Sequence, residues 1–376
     1  MKKNPAKMFM VASFLVFILT SFVYIGAVMT NVSVVSYPYD DIFHEDSITA
    51  SQGGEVGLRV TVPASASEEG TFLVPVGITT GISFSTDGIM VIGTSDVATI
   101  QGKRVSPSCG KLKAGDIIKK INSQEVENIR ELAHAIESSQ KTAKLEIMRD
   151  GKSLNVEVDV VDSDDNTKKI GCWVRDSTQG IGTITYYNPL DKTFGALGHG
   201  VFDVDTQKML TVREGQMLEA SIIDIRKGEK GKPGELIGEM KDRVIGHIAE
   251  NNQVGIYGKI DTSYEGLPTA SFVIASRDEL KKGPAKIFSN IEGGNIKSYD
   301  VFIENINEDT KADKAMVVRI TDQTLLTRTN GIVQGMSGSP IMQNDKLLGA
   351  ITHVFVQNPA RGYGVHIDKM IKACSN

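Results

Sequence analysis

The stretch Gly335-Met336-Ser337-Gly338-Ser339-Pro340 decides how this chain is read. A serine hydroxyl is a weak nucleophile at neutral pH until a base takes its proton and donors stabilise the oxyanion. Gly335 leaves the backbone free to aim N–H groups at one point, so Gly335 and Ser337 are the candidate oxyanion donors. Gly335 stands two residues before Ser337 but four before Ser339, which singles out Ser337. An α/β-hydrolase elbow needs G-x-S-x-G and a following helix. Here Ser339 fills the last glycine position, and the chain runs on into the β-rich residues 346–356.

A nucleophilic serine needs a base, and histidine suits the task at physiological pH. In Phe194-Gly195-Ala196-Leu197-Gly198-His199-Gly200-Val201, His199 sits at a strand end between glycines that admit another segment closely. His44 falls in a polar stretch and His134 on an amphipathic helix. His247, His353 and His366 lie in strand-like runs, where a packed histidine is the default; His353 is the runner-up as base. Three aspartates compete to orient the imidazole. Asp203 and Asp205 follow His199 closely, and Asp322 ends an apolar strand fifteen positions before Ser337 (337 − 322 = 15). Asp322 could equally cap a turn, and spacing alone does not choose among the three.

At 376 residues and 40% hydrophobic content the chain has room for two globular domains plus extensions. A net charge of −5 without a long Lys/Arg run argues against nucleic acid as a partner. The densest basic patch, residues 226–234, contains Gly, Pro and Glu and reads as a solvated hairpin loop. Cys109, Cys172 and Cys374 show no CxxC spacing and there is no HExxH, so no metal and no cofactor is expected. A Cys172–Cys374 bridge and three free thiols both stay open. Lys2, Lys3 and Lys7 precede the uncharged residues 8–29, which predicts a transmembrane helix with a cytoplasmic N-terminus. The expected organisation is an anchor over 1–30, a polar stalk over 31–68, an α/β module over 69–162 and a β-rich domain over 168–376.

Within the module, Leu112-Lys113-Ala114-Gly115-Asp116-Ile117-Ile118-Lys119-Lys120-Ile121-Asn122 reads as a turn entering a strand. Ile129, Leu132, Ala133 and Ile136 then recur at helical spacing, with Asn128 as cap and Glu131 three residues on. A strand ending in an Asp150-Gly151 turn follows. This order resembles a PDZ domain. The resemblance implies capture of extended peptides or C-termini by strand addition. Residues 75–82 would form the carboxylate loop, making Gly77, Ile78, Gly81 and Ile82 the candidate peptide contacts. Beyond residue 168, short strands are spaced by turns, with His199 early and Ser337 late. The expected fold class is therefore mainly β: a transmembrane helix, a PDZ-like α/β module, and a chymotrypsin-like double β-barrel.

Residues 195–201, 335–340 and 349–356, together with this order of modules, resemble the SpoIVB sporulation peptidases over nearly the whole chain. The resemblance implies a serine endopeptidase with His199, Asp322 and Ser337 as triad. It further implies a forespore product active in the space between the forespore membranes. Such an enzyme would cut itself within the stalk, and cut a mother-cell membrane regulatory protein to release pro-sigma-K processing. A PDZ-based adaptor with an inert protease-like scaffold is the alternative. The joint presence of Ser, His and a suitably placed Asp argues against it.

Overall fold

The computed structural model describes residues 71–309 and 312–374; the expected anchor, stalk, self-cleavage region and His44 lie outside the described residues. The described chain is mainly β. Its α-helices are short: α1 (Ile129–Ser138), α2 (Gln323–Thr329) and α3 (Ile367–Cys374). Crossing a bilayer takes about 20 apolar residues in one helix. No helix among the described residues is long and apolar enough to cross a membrane, and the expected fold class is corrected on that element.

The first half of the molecule is built from β1 (Phe72–Pro75), β2 (Thr79–Thr94), β3 (Ile117–Ile121), β4 (Thr142–Arg149), β5 (Lys152–Asp159), β6 (Cys172–Tyr187), β7 (Thr193–Ala196), β8 (Val212–Arg226), β9 (Glu235–Asn252) and β10 (Gly255–Ile260). Six of these follow the path β6-β7-β10-β9-β8-β2, and β2 also pairs with β6, which joins the ends into a ring. Ile82, Phe84, Ile184, Phe194, Met217 and Ile256 fill it. The second half contributes β11 (Gly283–Ser289), β12 (Lys297–Ile306), β13 (Met316–Ile320), β14 (Pro340–Gln343), β15 (Lys346–Phe355) and β16 (Asn358–His366). They close a barrel in the order β11-β12-β13-β16-β15-β14. Alternating burial along residues 283–287 of β11 and along β13 shows the period-2 pattern of strands with one face inward. Counted in chain order within each ring, both follow one path: first, second, third, sixth, fifth, fourth. The two barrels are thus the same architecture used twice.

Residues 72–86, expected within the α/β module, belong to or flank the first barrel. The Thr79–Thr86 half of β2 pairs with β6 and β8, while its Ile89–Thr94 half pairs with β3 and with Cys172–Arg175 of β6. The module is therefore inserted between the first and second strands of the barrel, carried on two strands that run through both units. It has its own core of Ile89, Val91, Ile118, Leu132, Ile136, Leu145, Ile147 and Ile170. Helix α1 starts where its cap predicts: the Asn128 side-chain oxygen accepts from the Glu131 N–H at 2.9 Å, and the Glu131 carboxylate accepts from the Glu127 N–H at 2.8 Å. Its buried stripe is Leu132, Ala135 and Ile136, leaving Ile129 and Ala133 exposed on the helix.

Module and peptidase also meet at the segment after His199. Phe202 bridges to Met209, making a small hairpin. Arg175 of β6 grips it through Asp203 and through Asp205 at 2.8 Å. Lys208 reaches Asp150 at 3.0 Å and the Gly115 carbonyl at 3.4 Å. The expected solvated loop at 226–234 instead docks on the second barrel, where Gly228 N–H donates to the Thr329 carbonyl and Gly231 N–H to that of Val356. All three cysteines are free thiols.

Candidate active site

Two turns, one from each barrel, carry the candidate side chains. Strand β7 stops at Ala196 because Leu197 and Gly198 both take left-handed φ values, +69° and +70°. A Cβ on Gly198 would lie 2.9 Å from Thr352 Cγ2 and 3.0 Å from Val365 Cγ1, so only glycine seats this turn so closely on the second barrel. The Ser337 turn enters β14, and Gly338 at φ +98° passes so near β6 that a Cβ would meet the Thr183 carbonyl oxygen at 2.0 Å.

The turns converge on Thr352-His353 of β15. The Ser337 hydroxyl donates to the Thr352 carbonyl at 2.5 Å, and the His199 and His353 rings lie 4.5 Å apart at 37°. His199 Nδ1 is 2.8 Å from the Gly200 carbonyl. That contact assigns the proton to Nδ1 and leaves Nε2 as the acceptor, the tautomer a general base needs. Burial pushes the His199 pKa down, with the Gly200 carbonyl opposing. Burial, then the neighbouring His199 and Lys314, lower that of His353 to about 4. Both rings are thus neutral at physiological pH. The Gly335 and Ser337 N–H groups have no hydrogen-bond partner among the described residues, as donors reserved for an oxyanion would.

The candidate carboxylates bond to other groups. Asp322 is the N-cap of α2, its side chain accepting from the Leu325 N–H at 2.8 Å. Asp203 is buried on Arg175 and on the N–H groups of Asp205 and Thr206. Burial raises its pKa, but the Thr206 contacts and then Arg175 outweigh it and hold the carboxyl below its ordinary range. Among the described residues the histidine–carboxylate pairs are His247–Asp261 at 3.4 Å and His366–Asp368 at 3.8 Å. The structure sets Ser337 on Thr352 and His199 beside the adjoining His353, and among the described residues His199 makes no ion pair with Asp322.

The expected peptide contacts lie in the barrel. The Gly77 N–H donates to the Ile184 carbonyl, Gly81 pairs with Ile181 and Leu218, and Ile82 is in the barrel core; Ile78 packs against that core. The inserted module offers a different cleft. Segment 172–176 of β6 has β2 on one edge, and no strand pairs with its other edge among the described residues. Helix α1 flanks that side: Ile129 N–H donates to Asp176 at 2.7 Å, and near its far end Glu137 accepts from the Lys168 N–H at 2.9 Å. An open strand edge beside a helix is what strand addition requires. The available signal was Ile170-Gly171-Cys172-Trp173, a glycine among apolar residues after Lys168-Lys169 and directly before a strand. Trp173 is 65% exposed on this strand.

Two barrels of one topology, with a glycine-bracketed serine and histidine between them and a PDZ module inserted, define a PDZ-containing serine peptidase. The model of the SpoIVB peptidase S55 family matches residues 166–371, more than half of the chain, and a PDZ domain model matches residues 83–160; the chain belongs to the S55 family. No curated protein matches it. Among solved structures it is similar to the PDZ domain of the SdrC-like protein (Lmo2051) of Listeria monocytogenes, with 23% identity, 23% of this chain and 87% of that one covered, and a TM-score of 0.20. It is also similar to the inactive form of the Rv3671c protease of M. tuberculosis H37Rv, with 12% identity, 52% and 83% covered, and a TM-score of 0.29.

Proposed function

We propose that this peptidase is an intercompartmental sporulation signal, cutting itself and a mother-cell membrane regulatory protein so that pro-sigma-K processing is released. Family membership supports that role, and with it a site of action between the forespore membranes. The observation carrying the chemistry is the convergence of Ser337 and His199, from separate barrels, on Thr352-His353. In the mechanism, the Ser337 hydroxyl turns from the Thr352 carbonyl to His199 Nε2 and attacks a peptide carbonyl. The Gly335 and Ser337 N–H groups take the oxyanion, and His199 returns the proton to the leaving amine. The Gly200 carbonyl holds the Nδ1 side in the described structure; the family resemblance implies Asp322 for that role. An extended peptide adding to the open edge at Cys172–Arg175 would deliver substrates or a regulatory terminus.

Mass spectrometry of the N-terminal region over time, in chain expressed from residue 31 onward, compares wild type with Ser337→Ala. The expected result is trimming within residues 31–69 in wild type and none in the variant. Identical fragments from both proteins would refute self-processing.

A further inference from the structure

We propose that Thr183, in the C-terminal half of β6, is a positioning residue that sets the nucleophile turn and the base turn relative to one another. The inference rests on reading Ser337 as nucleophile and His199 as base. Three bonds carry it. The Thr183 N–H donates to the Ser337 carbonyl at 3.0 Å, and its hydroxyl donates to the Gly335 carbonyl at 2.7 Å. Its own carbonyl accepts from the Leu197 N–H at 3.1 Å, two residues before His199. Thr183 is fully buried, so no water competes for these groups. One residue of the first barrel thereby touches both catalytic turns, although they are 140 positions apart (337 − 197 = 140).

The side-chain bond has a specific electrostatic consequence. Gly335, at φ +97°, can rotate its peptide planes at little steric cost. A carbonyl oxygen swung toward the developing oxyanion would oppose it as strongly as an N–H supports it. The Thr183 hydroxyl holds the Gly335 carbonyl in a buried hydrogen bond. The Thr80 hydroxyl bonds within the first barrel, to the Gly182 carbonyl. Thr183 instead spends its hydroxyl on the residue that also supplies a candidate oxyanion donor, 152 positions away.

The substitution Thr183→Val removes the hydroxyl and keeps the shape; Thr183→Ser keeps the hydroxyl. Full-length wild type and both variants are titrated with a fluorophosphonate probe, separating kinact from KI, and melted in parallel. Misplacement of a reacting group by an ångström costs on the order of 100-fold, so Thr183→Val is expected to lower kinact by about 10- to 100-fold with KI unchanged. Thr183→Ser is expected to stay within about threefold of wild type. A purely structural role predicts lower Tm with unchanged kinact per folded molecule, and that result overturns the proposal. So does a Thr183→Ser variant as slow as Thr183→Val. If Thr183→Val does not fold, Thr183→Cys, with its weaker S–H donor, carries the test with the same two outcomes. Folded wild type that labels no faster than Ser337→Ala would overturn the site reading itself, an outcome distinct from failure of Thr183 alone.

Discussion

Gly338→Ala tests the geometry of the nucleophile turn with a single carbon. At φ +98° an alanine is in left-handed backbone, which costs roughly 1–2 kcal/mol. Its Cβ would stand 2.0 Å from the Thr183 carbonyl oxygen and 2.6 Å from the Leu197 nitrogen. Both are backbone atoms, so no side chain can swing aside, and forced overpacking adds roughly 1–3 kcal/mol. The sum is about 2–5 kcal/mol. At about 2–4 °C per kcal/mol for a domain of this size, Tm should fall by roughly 4–20 °C. Relief can come only by moving the turn that carries Ser337, so fluorophosphonate labelling should slow by about 100-fold or more. Gly180→Ala on β6 is the control, because a Cβ there meets nothing within 4 Å and its φ is not left-handed. It should change Tm by no more than about 2 °C. Gly338→Ala labelling at the wild-type rate, with Tm within about 2 °C of wild type, would refute this account of how the barrels meet.

His199 accepts a proton only when neutral, and burial lowers its pKa, so the acid limb of the kcat/KM profile should fall below pH 6.5. A limb at or above 6.5 would mean the imidazole is solvated or paired with a carboxylate. The sign is the same for stability: the unfolded histidines take up protons below 6.5 that the folded protein resists, so stability falls as pH drops from 6.5 toward about 4, the value for His353. Asp322→Ala removes the α2 cap and should cost about 1 kcal/mol, seen as a drop of about 2–4 °C in Tm, whereas Asp322→Asn should melt with wild type because asparagine caps equally well. Activity lost in Asp322→Asn at unchanged Tm would assign its charge a role at His199 that the cap does not display.

What was legible in the sequence was local. Glycines around Ser337 and His199 announced turns, and those turns are where the barrels touch. Asn128 and Glu131 announced the start of α1. What escaped depends on partners far along the chain. Thr183 reads as one more β-branched residue of an alternating strand, and only pairing across barrels shows what its hydroxyl holds. The Gly77–Ile82 stretch has the composition of a binding loop, but its neighbours are Ile181, Ile184 and Leu218, which no short-range pattern can reveal. His353 looked like a packed strand histidine; a register shift in β15 between Ile351 and Val354 falls where it meets His199.

The insertion also bears on the order in which the protein can form. Ser85 must wait for its partner Ser177, 92 residues later in synthesis (177 − 85 = 92). Closing a flexible loop of that length costs about 4 kcal/mol in chain entropy. The module between has its own core and can condense as soon as it emerges. Once condensed, it holds Thr94 beside Cys172 and the rest of the two strands can zip onward into the barrel. The module is then a folding clasp, and a substitution in its interior, far from Ser337, registers as a peptidase that never assembles.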